Sequence, residues 1–474
     1  MPRQAQITPS DITLRLQARG ALTAQALAGA LRVDRSTVSR GLTRLGDSVV
    51  ALGAARRARY ALRRAVRAIG DRWPVYRIDE GGRAREWARL HALQGGFLVE
   101  WAGPPPAWAE HAVDREGFVD GFPFFLGDLR PQGFLGRQET RRVAEALALP
   151  VDPRQWGDDD TLVFLQAEGG DVPGDLIVGD ALLRRALTRQ LEVAAGDAVP
   201  EAARETRYPE LAARVTANGL PGSWVAGEQP KFLTAVQHGD GVVQPVLVKF
   251  SPPMDSAAGR GWADLLVAEA LALAVQAEHG LATAGARTFD AGGRRFLEVI
   301  RHDRVGAHGR RGVVSLAALH GAMADGTATD WPSAVQALGR AELIDEAGLA
   351  AVRRLHSFGE LIGNSDMHFG NLSFWLDDAR PFRPAPAYDT LPMTWAPTST
   401  GEFVDPASRV FAPRPPLPAA LPDWCEAAAW AADFWRRVAA DERVSRFSAA
   451  RAREAGAVVA RMRDHFGGTS PTTT

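Results

Sequence analysis

Asn364-Ser365-Asp366-Met367-His368-Phe369-Gly370-Asn371 is the stretch on which the reading of this chain turns. It follows the apolar pair Leu361-Ile362, runs into the strand-like Leu372-Ser373-Phe374-Trp375, and is answered further on by Tyr388-Asp389. A carboxylate five residues before a carboxamide, with a second carboxylate downstream, is what phosphoryl transfer asks for. Asp366 would orient an acceptor hydroxyl and take its proton. Asn371 and Asp389 would hold Mg²⁺ through hard oxygen ligands. Alone, the same octapeptide also suits a polar loop whose Asn and Asp side chains make local turn hydrogen bonds.

Working outward, the two lysines shift the balance. Lys231 and Lys249 stand against fifty-three arginines among 55 basic residues. A compact ammonium on a flexible stem meets a phosphate as a point charge where a planar guanidinium does not fit. Lys231 closes the segment Val225-Ala226-Gly227-Glu228-Gln229-Pro230, in which Gly227 allows close approach of the backbone to phosphate oxygens. Lys249 ends the strand-like Val246-Leu247-Val248. Together they supply the other half of an ATP site in a plausible N-to-C order. Glu269 shares a helical stripe with Trp262, Leu266 and Leu273, so it either points inward to pair with Lys249 or stays solvated. Ile300-Arg301-His302, after the strand-like Phe296 to Ile300, is either an adenine-facing hinge or an ordinary strand exit. His368 either touches the nucleotide or makes a structural hydrogen bond.

The N-terminal end has a different character. Residues 1–70 hold thirteen arginines against Asp11, Asp34 and Asp47, a balance of +10, so the remainder carries −11 of the net −1. A basic head on an acidic body suits a small nucleic-acid-binding domain. Ser10 or Asp11 can cap a first helix with Ile12 and Leu16 inward, and Thr23 a second that buries Leu27 and Leu31. After the turn Val33-Asp34, a third helix from Arg35 to Leu45 turns Val38, Leu42 and Leu45 inward. Arg35, Ser36, Thr37, Arg40 and Arg44 then face outward, a set suited to phosphates and base edges. Val49 to Leu52 and Arg59 to Leu62 read as a hairpin wing, with Gly53 starting its turn and Arg56 and Arg57 near its tip. The pattern is a winged helix-turn-helix that binds double-stranded DNA; the alternative is a small helical interaction domain with a solvated basic face.

Elsewhere the chain is less explicit. Candidate strands are Leu162-Val163-Phe164-Leu165, Val246 to Val248 and Phe296 to Ile300. Gly103 to Pro106 and Glu168 to Asp171 read as loops, and Gly121 to Phe125 and Arg130 to Phe134 exclude long helices. Helical periods dominate from Ser315 to Arg463, interrupted by prolines between Pro381 and Pro422. A single cysteine, Cys425, excludes an internal disulfide and a cysteine-rich zinc site. There is no apolar run of membrane-spanning length, no signal-peptide pattern and no Gly-x-Ser-x-Gly elbow, so a cytoplasmic location is expected.

In Val225 to Lys231, Lys249, Arg301-His302-Asp303-Arg304, the Asn364 to Asn371 loop and Tyr388-Asp389, the chain resembles the HipA family of serine/threonine kinase toxins, in particular its YjjJ-type members, over roughly residues 75 to 460. The resemblance implies an α+β chain with the HipA-like kinase fold. A winged helix-turn-helix would occupy residues 1–70, a mixed N-terminal lobe 71–300, a helical C-terminal lobe 301–466 and a disordered tail 467–474. It implies Asp366 as catalytic base, Asn371 and Asp389 as Mg²⁺ ligands, and ATP contacts from Ala226, Gly227, Glu228, Gln229, Pro230 and Lys231, from Lys249, from Ile300, Arg301 and His302, from His368, Phe369, Gly370 and Asn371, and from Tyr388 and Asp389. It also implies a protein substrate, such as a translation component. Two departures stand out. Trp224 occupies the place of a regulatory serine found in some relatives, with Ser223 one place earlier, and the helix-turn-helix is part of the chain instead of a separate antitoxin. A homodimer would suit paired DNA half-sites. The rival expectations are a nucleotide-sensing regulator without kinase activity and a small-molecule phosphotransferase.

Overall fold

The computed structural model describes residues 7–54, 57–192, 196–217, 229–324, 326–397 and 411–467. The head starts with α1 (Pro9–Arg19), capped by Thr8 and not by Ser10 or Asp11. Pro9 takes the first helical position, where its fixed φ suits a helix start and its missing N–H leaves nothing unpaired. Asp11 is the reciprocal member of the capping box, accepting from Thr8 N–H at 2.8 Å. β1 (Leu22–Thr23) leads into α2 (Ala24–Leu31), whose cap is Thr23, and α3 (Arg35–Leu45) is capped by Asp34. Ile12, Leu16, Leu27, Val38 and Leu42 form the core of this unit, while Leu31 and Leu45 are half-buried at its rim. β2 (Val49–Leu52) and β3 (Arg59–Leu62) pair as an antiparallel hairpin, and β1 adds to β3.

The middle unit is a five-stranded antiparallel sheet in the order β7-β6-β5-β4-β8. Its elements in chain order are β4 (Arg72–Ile78), β5 (Ala84–Leu93), β6 (Gly96–Trp101), α4 (Ala109–Ala112), β7 (Phe118–Val119), α5 (Phe124–Gly127), α6 (Gly133–Val143), α7 (Asp158–Glu168), β8 (Leu176–Val178) and α8 (Asp180–Glu192). Leu162 to Leu165, expected as a strand, lie in the middle of α7. All four are buried, and a continuous apolar run looks the same in a buried helix as in a buried strand. Upstream, Asp158, Asp159 and Asp160 fill the first turn, where acidic side chains favour a helix N-terminus.

A second sheet, β12-β13-β11-β10-β9, comprises β9 (Val199–Pro200), β10 (Lys231–Gln237), β11 (Val243–Phe250), β12 (Arg287–Ala291) and β13 (Arg294–Ile300). Between these strands come α9 (Arg204–Ala217) and α10 (Ala257–Glu278). Strand alternation divides the faces. Phe232, Val246, Val248, Phe250 and Phe296 pack with Tyr208 of α9, while Leu297 meets Leu266 and Ala270 of α10.

The rest is mainly helical. A small ribbon of β14 (Arg304–Val305) and β15 (Gly309–Arg310) precedes β16 (Val313–Ser315), α11 (Leu316–Met323), α12 (Trp331–Arg340) and α13 (Glu346–Leu361). β17 (Ser373–Trp375) pairs antiparallel with β16, and α14 (Leu421–Ala440) and α15 (Arg446–Gly467) close the chain. One core joins the middle sheet to α11, α12, α13 and the segment after β17. A second packs α10 against α13, α14 and α15. No helix among the described residues is long and apolar enough to cross a membrane. The tail beyond Gly467, the wing residue Arg56, and Ser223, Trp224, Ala226, Gly227 and Glu228 lie outside the described residues.

Candidate functional site

Antiparallel pairing of β10 with β11 sets Lys231 directly opposite Lys249. Two ammonium groups in that register repel, so the pair needs anions close by. Lys249, 4% exposed, donates to Glu269 Oε1 at 2.6 Å and also to Asp389 Oδ1. Glu269 is therefore the inward-facing carboxylate of α10, at 1% exposure. Burial pushes its carboxyl up against the pull of Lys249. Burial acts the same way on Asp389, but Lys249 and Lys231 overcome it and hold that carboxyl well below the usual range. Lys231 has its ammonium pushed down by burial, with Asp389, Glu269 and Asp366 opposing the shift. It makes no side-chain hydrogen bond or ion pair to the described residues. Beside it, Gln229 is buried and its Nε2 has no hydrogen-bond partner among the described residues.

The loop after α13 is a worked turn. Asn364, buried, accepts from the Asp366 N–H at 3.1 Å through Oδ1. Asn371 donates from Nδ2 to the Asp366 carbonyl at 2.8 Å, and its own N–H reaches the His368 carbonyl at 3.0 Å. His368 accepts from the Gly370 N–H through Nδ1 at 3.0 Å, a local structural bond on an exposed side chain. Asp366 is exposed. Phe369 meets the buried ring of His320 edge-on at 5.4 Å. Tyr388 braces the turn from the other side, its hydroxyl donating to the Gly370 carbonyl at 2.7 Å and sharing a hydrogen bond with Ser373 Oγ at 2.7 Å. Asp389 follows at φ +52°, a left-handed position that aspartate tolerates better than most residues.

His302 stacks on Tyr388 with ring centroids 5.9 Å apart, so the strand exit Ile300-Arg301-His302 lies beside the loop. Arg301 is otherwise committed. Its guanidinium binds Asp303 and Asp171 at 2.8–3.1 Å, and its N–H donates to the Pro245 carbonyl at 3.1 Å. Pro230 is buried and gives its carbonyl to the Phe250 N–H at 3.2 Å. The network of Asp171, Asp303, Arg304 and Arg310 around Arg301 was not legible in the sequence. Arg301, Asp303 and Arg304 are close neighbours in the chain, but Asp171 lies 130 positions before Arg301, and no local spacing links it to them.

Any bound Mg²⁺ would need hard oxygen donors, and Asn371 and Asp389 offer a carboxamide and a carboxylate held anionic. Among the described residues, no three His, Cys, Asp or Glu side chains are grouped as metal ligands on their own.

On the head, Arg35, Ser36, Arg40 and Arg44 of α3 are exposed and Thr37 is half-buried. The Ser36 hydroxyl and the Thr37 N–H and hydroxyl donate to Asp34 at 2.6–3.0 Å, which holds that carboxyl down at about 2. Part of the basic excess faces the body instead. Arg59 pairs with Asp114, Arg64 with Asp159 at 2.7 Å, and Arg67 with Asp160.

A mixed sheet presenting paired lysines to a helical unit that carries the Asp366–Asn371 loop is the HipA-like fold. By structure, 84% of the chain aligns with 97% of a chain from the Shewanella oneidensis MR-1 toxin–antitoxin complex of HipA, HipB and operator DNA, at TM-score 0.52 and 16% identity. Residues 223–464 match the HipA-like C-terminal domain, and residues 69–187 the middle domain of YjjJ-like toxins. Toxin YjjJ of Escherichia coli (strain K12) is 37% identical over 430 residues, covering 90% of this chain and 92% of that protein. The chain belongs to the HipA-like toxin family, in its YjjJ-type branch.

Proposed function

We propose that the chain is an ATP- and Mg²⁺-dependent serine/threonine protein kinase of the HipA toxin type, fused to a winged helix-turn-helix that binds double-stranded DNA, and that it acts in the cytoplasm. The observation that carries the reading is the juxtaposition of Lys231 and Lys249 with Asp389 and Glu269, in the electrostatic field of Asp366. Two nearby cations with carboxylates behind them, and a lysine and a Gln229 amide that find no partner among the described residues, suit a polyphosphate. Asn371 and Asp389 would hold Mg²⁺, whose chemistry there would be to supply positive charge against the phosphates. Asp366, open to solvent, would take the proton of a serine or threonine hydroxyl as its oxygen bonds to the terminal phosphorus and the bridging P–O bond breaks, releasing ADP. Residues 226–231, 300–302 and 368–371 would surround the nucleotide, and α3 would enter a major groove with Arg35, Arg40 and Arg44. By analogy with the structural relative, solved with HipB and operator DNA, protein and DNA partners are both expected. A translation component is the favoured substrate class, and repression of its own promoter the favoured role of the head.

The test is transfer of radiolabelled phosphate from ATP to host-cell lysate, native chain against Asp366→Ala. A labelled protein that disappears in the variant supports the kinase. A second reading, a nucleotide-sensing regulator without transfer, draws on the contact of Lys249 with Asp389, which occupies the carboxylate a metal would need. ATP binding with no label in either sample would select it, and label on small hydroxylated metabolites alone would select a small-molecule phosphotransferase.

A further inference from the structure

Asp128 sits just beyond α5 in the middle domain, remote in sequence from every residue of the candidate site. Its carboxylate accepts the Ser315 N–H at 2.7 Å and the Ser315 hydroxyl, and no cation pairs with it among the described residues. Burial pushes this carboxyl up against those two hydrogen bonds. What offsets the burial of this carboxyl is the pair of hydrogen bonds from Ser315.

Ser315 is the hinge point of three contacts. Its hydroxyl also accepts from the Ala318 N–H at 3.2 Å, capping α11. Its backbone is the last pair of the β16–β17 ribbon, opposite Ser373. The next residue, Leu316, donates its N–H to the Leu372 carbonyl at 2.8 Å. From Ser373 the chain of contacts continues through the Tyr388 hydroxyl to the Gly370 carbonyl, each step 2.7 Å. From α11, His320 meets Phe369. Both routes end on the turn that holds Asp366 and Asn371.

We propose that Asp128 is a positioning residue for the loop Asp366–Asn371, acting through Ser315 and Ser373. The middle domain thereby contributes to the geometry of the site without touching it. This rests on the kinase reading for its catalytic consequence, and on geometry alone for the positioning.

The experiment uses the full chain and the variants Asp128→Asn, Ser373→Ala and Tyr388→Phe. Hydrogen exchange is followed at the amides of Asp366, Gly370 and Asn371, together with the melting temperature and phosphate transfer at varied ATP. Asp128→Asn should speed exchange in the loop about tenfold while β4, β5 and β6 keep native protection. kcat should fall between about ten- and a hundredfold with KM for ATP nearly unchanged. Asp128→Asn combined with Tyr388→Phe should fall no further than the worse single variant. Loop exchange within about twofold of the native chain, with only the melting temperature lowered, would overturn the proposal by assigning Asp128 to capping alone. If the native chain transfers no phosphate, the kinase reading fails, and the exchange data still decide the positioning. Should Asp128→Asn not fold, Ser373→Ala cuts the same path with a smaller change and the same criteria apply.

Discussion

Lys249 carries two carboxylates, and the consequences are opposite in sign. Asp389 has a depressed carboxyl, so its stabilising contribution is complete above its ordinary value near about 4 and is lost as pH falls through and below that range. Glu269 has a raised carboxyl, so keeping it ionised opposes folding, and that opposition fades as pH falls. Lys249→Met would strand both anions and should destabilise the chain by about 3–5 kcal/mol at neutral pH, measured by urea unfolding. The deficit should be smaller at mildly acidic pH, because Glu269 without its cation takes up a proton more readily. An equal deficit at both pH values would count against this assignment. The sequence left Glu269 open between core and solvent, since a helical stripe says which side a residue faces but not whether a cation waits there. Asp366, Asn371 and Asp389 stand out in the sequence as a proposed set because phosphoryl transfer would restrict both their types and their order.

Among the elements, the helices of the head were legible to the residue where capping and apolar spacing agreed, as in α3 with Asp34 before it. Thr8 was missed because Ser10 and Asp11 are equally good caps by type, and Pro9 settled the choice. α7 was read as a strand because the run Leu162 to Leu165 carries no polar residue to betray its period. The arginine excess of the head overstated the free positive face, since Arg59, Arg64 and Arg67 are bound by acidic residues of the body. DNA affinity, as proposed, should therefore depend on α3. Replacing Arg40 and Arg44 together by alanine should reduce the steepness of log K against log salt by about 1.8, if each meets one phosphate. An unchanged slope in a filter-binding or anisotropy titration would place the DNA surface elsewhere.

Across the whole molecule, the middle domain and the helical unit share one core, so they are expected to unfold together. Arg77, on β4, binds Asp175 at 2.6 Å, Asp378 at 2.7 Å and the Leu376 carbonyl, and lies over the ring of Trp87. Trp108 donates to the Asp377 carbonyl at 2.9 Å. Arg77→Ala should cost about 3 kcal/mol or more, since it leaves the buried Asp175 without its cation. The loss should appear as one cooperative shift, with tryptophan fluorescence and far-ultraviolet circular dichroism moving together in guanidinium. Separate transitions would show that the middle domain unfolds on its own.

Local patterns in the chain were enough to propose the nucleotide-handling residues and to read the order of elements in the head and the strands that carry Lys249 and Ile300, because caps, periodicity and motif spacing act over a few residues. Long-range packing had to supply the rest. It set Lys231 opposite Lys249, turned Glu269 inward, joined Asp171 to Arg301 and brought Asp128 against Ser315. The contacts Lys231–Lys249, Lys249–Glu269, Arg301–Asp171 and Asp128–Ser315 join residues 18 to 187 positions apart, where no local pattern selects the partner.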